Sequence, residues 1–210
     1  DFDQVFTGVK DNSQSDIFRD SKHLVMSVVD GYNVCIFAYG QTGSGKTFTM
    51  IGGCSIEESV KKDGEFHDAA GIAPRAVSEL FRLLNERGEQ STFTADVTMF
   101  QIYRDGIQDL LRKKVVKKKG KKGQDEDDDV QKDDGLKITL AQHSSSGLVT
   151  VDGAVVESAS TPSEVMQIFA EGSARRKVAS TQMNAESSRS HLVCSLVVNI
   201  VSKNSGKKTT

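Results

Sequence analysis

Cysteine is scarce: Cys35, Cys54 and Cys194 are odd in number and offer neither zinc-ligand spacing nor a redox pair. That excludes a disulfide-stapled scaffold and fits the reduced cysteines of a cytosolic protein. No apolar stretch approaches the ~20 residues that a membrane helix needs, and the acidic start Asp1-Phe2-Asp3 is unlike a signal peptide. Charge of one sign is missing as well, since a net charge of -2 carries no overall preference for nucleic acid. What is present is the composition of a soluble globular protein, 37% hydrophobic and 27% charged. At 210 residues the chain can bury one sizeable core or be a piece of something larger.

The most informative stretch is the apolar run Val34-Cys35-Ile36-Phe37-Ala38-Tyr39 followed by Gly40-Gln41-Thr42-Gly43-Ser44-Gly45-Lys46-Thr47. It predicts a buried strand feeding a phosphate-binding loop, with every fixed position of G-x-x-x-x-G-K-[ST] filled. Gly40, Gly43 and Gly45 let consecutive backbone N–H groups converge on phosphate oxygens. Lys46 is placed to neutralise the β- and γ-phosphates, and the Thr47 hydroxyl to ligate Mg²⁺. A helix beginning near Gly45 would aim its positive end at the same anion. Together these features select a nucleoside triphosphate with magnesium. A Gly/Ser surface loop matching by accident would lack the strand-like run in front.

Around this motif the chain alternates helical and strand-like patterns, the grammar of an α/β fold. Residues 13–31 predict a first helix, started by Ser13 and Asp16 and stopped by Gly31. Gly52 to Ala70 is polar and aperiodic, an exposed loop near the nucleotide. A second helix is expected around Pro74, with Val77, Leu80, Phe81 and Leu84 on one face. Thr92 to Tyr103 predicts a long strand ending toward Asp109-Leu110-Leu111. Leu136 to Leu140 and Leu148 to Val151 predict short strands around a Ser-rich turn. Thr161-Pro162-Ser163-Glu164 is a capping box opening a third helix, with Val165, Ile168 and Phe169 inward and Gly172 near its end. Leu192 to Val201 predicts one more strand.

One segment breaks the pattern. Residues 112–122 hold eight Lys or Arg, and residues 125–129 are Asp-Glu-Asp-Asp-Asp. So little apolar content cannot offset ordering entropy, so 112–135 is expected to be a disordered insertion. A solvated loop whose acidic half neutralises its basic half is favoured over a contact with an acidic partner.

The second informative stretch is Asn184-Ala185-Glu186-Ser187-Ser188-Arg189-Ser190-His191. Ser187 and Ser188 are suited to Mg²⁺ or a γ-phosphate, Asn184 to the same group, and Arg189 to a carboxylate. Taken with Tyr39 to Thr47, it resembles the kinesin motor domain, whose phosphate loop and switch I have this wording. The likeness runs almost end to end, through Phe2-Asp3-Gln4-Val5-Phe6, Gly31-Tyr32-Asn33, Gly71-Ile72-Ala73-Pro74-Arg75 and Asp109-Leu110-Leu111. Gly31 to Phe37 and Gly172-Ser173-Ala174-Arg175-Arg176 look most like the minus-end-directed branch with C-terminal motors, including its calmodulin-binding members.

The resemblance implies a P-loop NTPase fold, a central mostly parallel or mixed sheet flanked by helices. It implies ATP and Mg²⁺ as cofactors: Gly40 to Thr47 cradle the phosphates, Thr47 and Ser188 hold Mg²⁺, and Asn184 and Ser187 sense the γ-phosphate. Arg189 would pair with a switch II glutamate, and Phe48 stands where the family often stacks adenine. The implied partner is the microtubule (tubulin), in the cytoplasm on the cytoskeleton, with neither nucleic acid nor membrane. A parent protein could dimerise through a coiled coil outside these residues, and nothing in this segment supports calmodulin binding. Two family elements are missing from the 210 residues, the Arg-x-Arg-Pro that flanks adenine and the switch II Asp-Leu-Ala-Gly-Ser-Glu. The segment is therefore expected to be part of a larger motor polypeptide, unstable alone and inactive without switch II. A nucleotide- or microtubule-binding protein without turnover is the alternative. A small GTPase is disfavoured by the lack of Asn-Lys-x-Asp.

Overall fold

The computed structural model describes residues 2–6, 13–88, 91–103, 106–113, 137–140, 149–182, 190–206 and 208–210. Residues 114–136, which include nearly all of the charged segment, lie outside them. The elements are α1 (Gln14–Val29), α2 (Lys46–Met50), α3 (Ile72–Glu86), β1 (Ser91–Tyr103), β2 (Gly106–Asp109), β3 (Lys137–Leu140), β4 (Val149–Asp152), β5 (Glu157–Ala159), α4 (Pro162–Gln182), β6 (Ser190–Ser202) and β7 (Lys208–Thr209). One sheet has the order β2-β1-β6-β7 with β5 on β1, and β3 pairs with β4 in a second. The pairings β1·β2, β3·β4 and β6·β7 are antiparallel. The chain divides into two compact units, one of residues 1–97, 158–170 and 196–210 and the other of residues 98–157 and 171–195.

In the first unit α1 starts as its sequence predicts. Ser13 Oγ accepts from Asp16 N at 3.3 Å, and Asp16 Oδ2 accepts from Ser13 N at 2.9 Å, a reciprocal capping box. Phe18, Val25 and Val29 lie on one buried stripe, packed with Ile72, Leu80, Leu83 and Leu84 of α3 and Val198 of β6. The opposite side of α3 contributes Phe81 to a second cluster with Ala95, Val97, Ala159 and Val165. Phe81 meets Phe93 edge to face, ring centroids 5.7 Å apart. Apolar residues on two sides make α3 the helix that this unit is built around.

A charged group closes the α1–α3 seam. Arg82 donates to both oxygens of Glu79 at 2.9 and 2.7 Å, and Lys22 of α1 approaches at 3.2 Å. Arg82 first, and then Lys22, hold the Glu79 carboxyl below its ordinary value against the opposing effect of burial.

The expected strand Thr92 to Tyr103 is β1; its end lies in the second unit, where the run toward Asp109-Leu110-Leu111 is a return strand and not its continuation. β1 stops at Tyr103 and the chain returns antiparallel through β2, with Phe100 opposite Asp109 and Tyr103 opposite Gly106. The return is locked by Asp109, whose buried carboxylate accepts from Leu111 N at 2.8 Å, Arg112 N at 3.2 Å and Val155 N at 2.7 Å.

Two further expectations are corrected. Val34 to Tyr39 forms no strand, since among the described residues it is paired with no other strand. Val34, Ile36 and Ala38 are half-buried, whereas Phe37 and Tyr39 are 73% and 91% exposed. The second helix is as expected: it begins at Ile72, and Pro74 falls in the first turn, where its missing N–H costs nothing. Gly172 does not end the third helix, because α4 runs on to Gln182. A Cβ there would lie 2.3 Å from the Met99 sulfur, so the glycine is a packing requirement. The α4 start is as expected, with Thr161 Oγ1 accepting from Glu164 N at 3.2 Å, although Glu164 reaches back to Ser160 N rather than to Thr161.

Two outcomes test this packing in the complete polypeptide that carries these residues. Gly172→Val should lower unfolding free energy by about 1–3 kcal/mol through overpacking, read from urea denaturation, with partial recovery in Gly172→Val/Met99→Ala. Glu79 has its folded pKa below the unfolded value near ~4.3, so its contribution is complete above that pH and is lost as pH falls through the folded value. The melting temperature of wild type should therefore drop more steeply below about pH 4.3 than that of Glu79→Gln.

Candidate nucleotide-binding loop

The loop from Gly40 to Thr47 follows Val34 to Tyr39 and ends in α2, with Gly45 at the helix cap in the left-handed region, φ 93°. Gly43 is also left-handed at φ 82°. No atom lies within 4 Å of where a Cβ would sit at either glycine, so the backbone amides can be approached closely. Gly40 differs: a Cβ there would lie 2.5 Å from Ser44 Oγ, because the loop folds over its own start. Ser44 N donates to Gln41 O at 3.2 Å and closes that turn.

Lys46 points back into this turn. Its ammonium donates to Gly40 O and Gln41 O, both at 2.7 Å. Two of three donors are thus held by carbonyls of the loop itself, which leaves one donor for an anion. Gln41, Thr42, Ser44 and Thr47 are exposed, so no side chain buries the loop. This donor set fits a polyphosphate: converging amides, one aimed cation and the Thr47 hydroxyl. Among the described residues no group of three His, Cys, Asp or Glu exists to hold a metal ion alone. A hydroxyl ligand suits Mg²⁺ that arrives with phosphate, since this ion keeps several waters.

Phe48 follows, 59% exposed, its ring edge 3.2 Å from the Cβ position of Gly53. Its carbonyl accepts from Gln14 Nε2 at 2.8 Å. Nothing in the residue pattern hints at this contact, because Gln14 looks like one more polar residue in a capped first turn. Arg75 is a second residue that sequence reasoning left without a role. It is 3% exposed, donates to Ala70 O at 2.8 Å and Asp68 O at 2.7 Å, and lies 4.3 Å from the Phe66 ring centroid. Burial pushes its pKa down, with Asp68 opposing. A cation near the start of α3 was the available signal, and its effect is to tie the end of the 52–70 loop to that helix.

The structure brings Gly40, Gln41, Thr42, Gly43, Ser44, Gly45, Lys46, Thr47 and Phe48 together in one turn and helix. Asn184, Ser187, Ser188 and Arg189 lie outside the described residues. The segment's exit is described: Ser190 opens β6, and Arg176 of α4 donates to its Oγ at 3.0 Å and to Gln101 Oε1 at 3.1 Å.

A sheet with flanking helices and this loop define a P-loop NTPase domain of α/β class. A model of the kinesin motor domain matches residues 1–210. The chain is 41% identical over 187 residues to the kinesin-like protein KIN-14E of Arabidopsis thaliana, covering 89% of this chain and 12% of that protein. It is 39% identical over 197 residues to KIN-14I of Oryza sativa subsp. japonica, covering 94% and 13%. Among solved structures, a fast kinesin matches with a TM-score of 0.73 at 31% identity, covering 94% of this chain and 48% of that one. The Kar3-like kinesin from Ashbya gossypii matches with a TM-score of 0.65 at 25% identity, covering 95% and 49%. The chain belongs to the kinesin motor domain family, and C-terminal-motor KIN-14 members are among its relatives. It spans about half of the solved motor chains and about an eighth of the curated relatives.

The loop geometry gives one expected outcome. Gly40→Ala places a Cβ against Ser44 at φ 153° and should weaken binding of Mg·ATP at least ~10-fold, measured by titration with a fluorescent ATP analogue.

Proposed function

We propose that the chain is the ATP-binding portion of a microtubule-based motor that hydrolyses ATP to drive movement along microtubules. The observation that carries this is the Lys46 ammonium held over the open glycine turn by Gly40 O and Gln41 O. Gly40 to Thr47 hold the phosphates, Lys46 offsets their charge, and Thr47 and Ser188 are the residues that would hold Mg²⁺. When bound, this ion supplies positive charge across the β- and γ-phosphate oxygens. Asn184 and Ser187 sense the γ-phosphate, and Arg189 pairs with a switch II carboxylate supplied by the parent protein. Phe48 offers an exposed ring for the base. The reaction class is phosphoryl transfer to water, driven by positioning and electrostatics.

Gain and loss of γ-phosphate contacts in a switch loop is a known way to convert hydrolysis into altered grip on a partner. The fast kinesin that this chain matches is described by its ATPase mechanism and its interactions with microtubules. That description supports a microtubule partner, a place on the cytoplasmic cytoskeleton, and ATPase activity in the parent protein.

Lys46→Ala in the complete polypeptide should abolish binding of Mg·ATP, and unchanged affinity removes the phosphate-loop assignment. Steady-state phosphate release should rise on adding microtubules. Binding of nucleotide or microtubules with no release at all would instead mark a protein without turnover.

A further inference from the structure

We propose that Gln14 is a positioning residue for the nucleotide-binding loop, acting as a tertiary cap on the C-terminal end of α2; this rests on the assignment of Gly40 to Thr47 as the ATP site. Helix α2, Lys46–Met50, has five residues, far below the ~12–15 at which a helix begins to hold itself together. Its last carbonyls therefore need partners from elsewhere. Gly45 O accepts from Thr49 N at 2.8 Å, and Thr47 O accepts from Ile51 N at 2.8 Å and Gly52 N at 3.4 Å. The Gly52 amide is the one that a continuing helix would give to Phe48 O, and it is spent on Thr47 instead. Gln14 Nε2 takes its place at 2.8 Å, across 34 residues of chain.

Gln14 is held there at a cost. A carbonyl can only accept, so the amide nitrogen must face Phe48 and the amide oxygen must face away. That oxygen, Gln14 Oε1, is buried and has no hydrogen-bond partner among the described residues, in a residue only 8% exposed. A buried orphan acceptor is destabilising, and an unbranched apolar side chain of the same length would not incur that cost. If the fold alone set this position, methionine would serve as well. What glutamine adds is a fixed height and rotation of a single helical turn carrying Lys46, Thr47 and Phe48, each of which has a role at the phosphates, the metal ion or the base. Gln14 touches none of these groups itself.

The test uses Gln14→Met and Gln14→Glu in the complete polypeptide, with affinity for a fluorescent ATP analogue in Mg²⁺ and nucleotide-free melting temperature measured in parallel. Gln14→Met should weaken binding ~10-fold while the melting temperature stays within a few degrees of wild type, since the lost donor and the removed orphan oxygen offset each other. Gln14→Glu should weaken binding at pH 7.5, where a carboxylate faces a carbonyl with no proton between them. Relative to wild type at each pH, its affinity should recover as acid restores an O–H donor. Unchanged affinity in Gln14→Met overturns the proposal. A loss in both variants that only follows lost melting temperature, with no recovery in acid, overturns it as well. Wild type that binds ATP and loses it on Lys46→Ala keeps the site assignment standing in either case, whereas wild type that never binds ATP removes both.

Discussion

The close approach of two backbone segments underlies this structure. Residues 51–53, leaving α2, run against residues 69–71, entering α3: Gly53 N donates to Ala69 O at 2.9 Å and Gly71 N to Ile51 O at 2.8 Å. A Cβ on Gly52 would lie 2.1 Å from Ala69 O, and one on Gly71 would lie 2.6 Å from Thr49 O. Only glycine fits at either point, and through this seam the turn of the nucleotide loop is fastened to the best-packed helix of its unit.

From that seam outward, each level supports the next. Helix α3 is rigid because Leu80, Leu83 and Leu84 are buried toward α1 while Phe81 is buried toward the sheet. Arg75, on the same helix, reaches back to the carbonyls of Asp68 and Ala70 and holds the excursion between α2 and α3. Gln14 ties the start of α1 to the far end of α2. The five-residue helix α2 has almost no stability of its own, so its geometry is borrowed from α1 and α3. Binding energy for a charged ligand can then go into contacts rather than into ordering the loop.

Polar groups do the fastening in the second unit as well. Asp109 satisfies three backbone amides around the β-hairpin, and Arg176 joins Gln101 to Ser190 at the exit of the switch-like stretch. Burial lowers the pKa of Arg176, the expected effect on a half-buried cation whose described partners are neutral oxygens. Such groups were invisible in the sequence because a polar residue that will be buried carries the same letter as one that will be solvated.

The sequence by itself determined the phosphate loop, the capped starts of α1 and α4, the buried face of α3 and the kinesin family, because those depend on residue type at short spacing: Gly-x-x-x-x-Gly-Lys-Thr, Ser13 with Asp16, Thr161 with Glu164. Tertiary structure alone decided whether Val34 to Tyr39 joined a ladder, that β1 turned back at Tyr103, that Gly172 sat inside a helix against Met99, and that Gln14 and Arg75 served the loop. Each of those outcomes depends on what comes within a few ångströms from a distant part of the chain. Periodicity and capping rules see only neighbours, and so they carry no information about that approach.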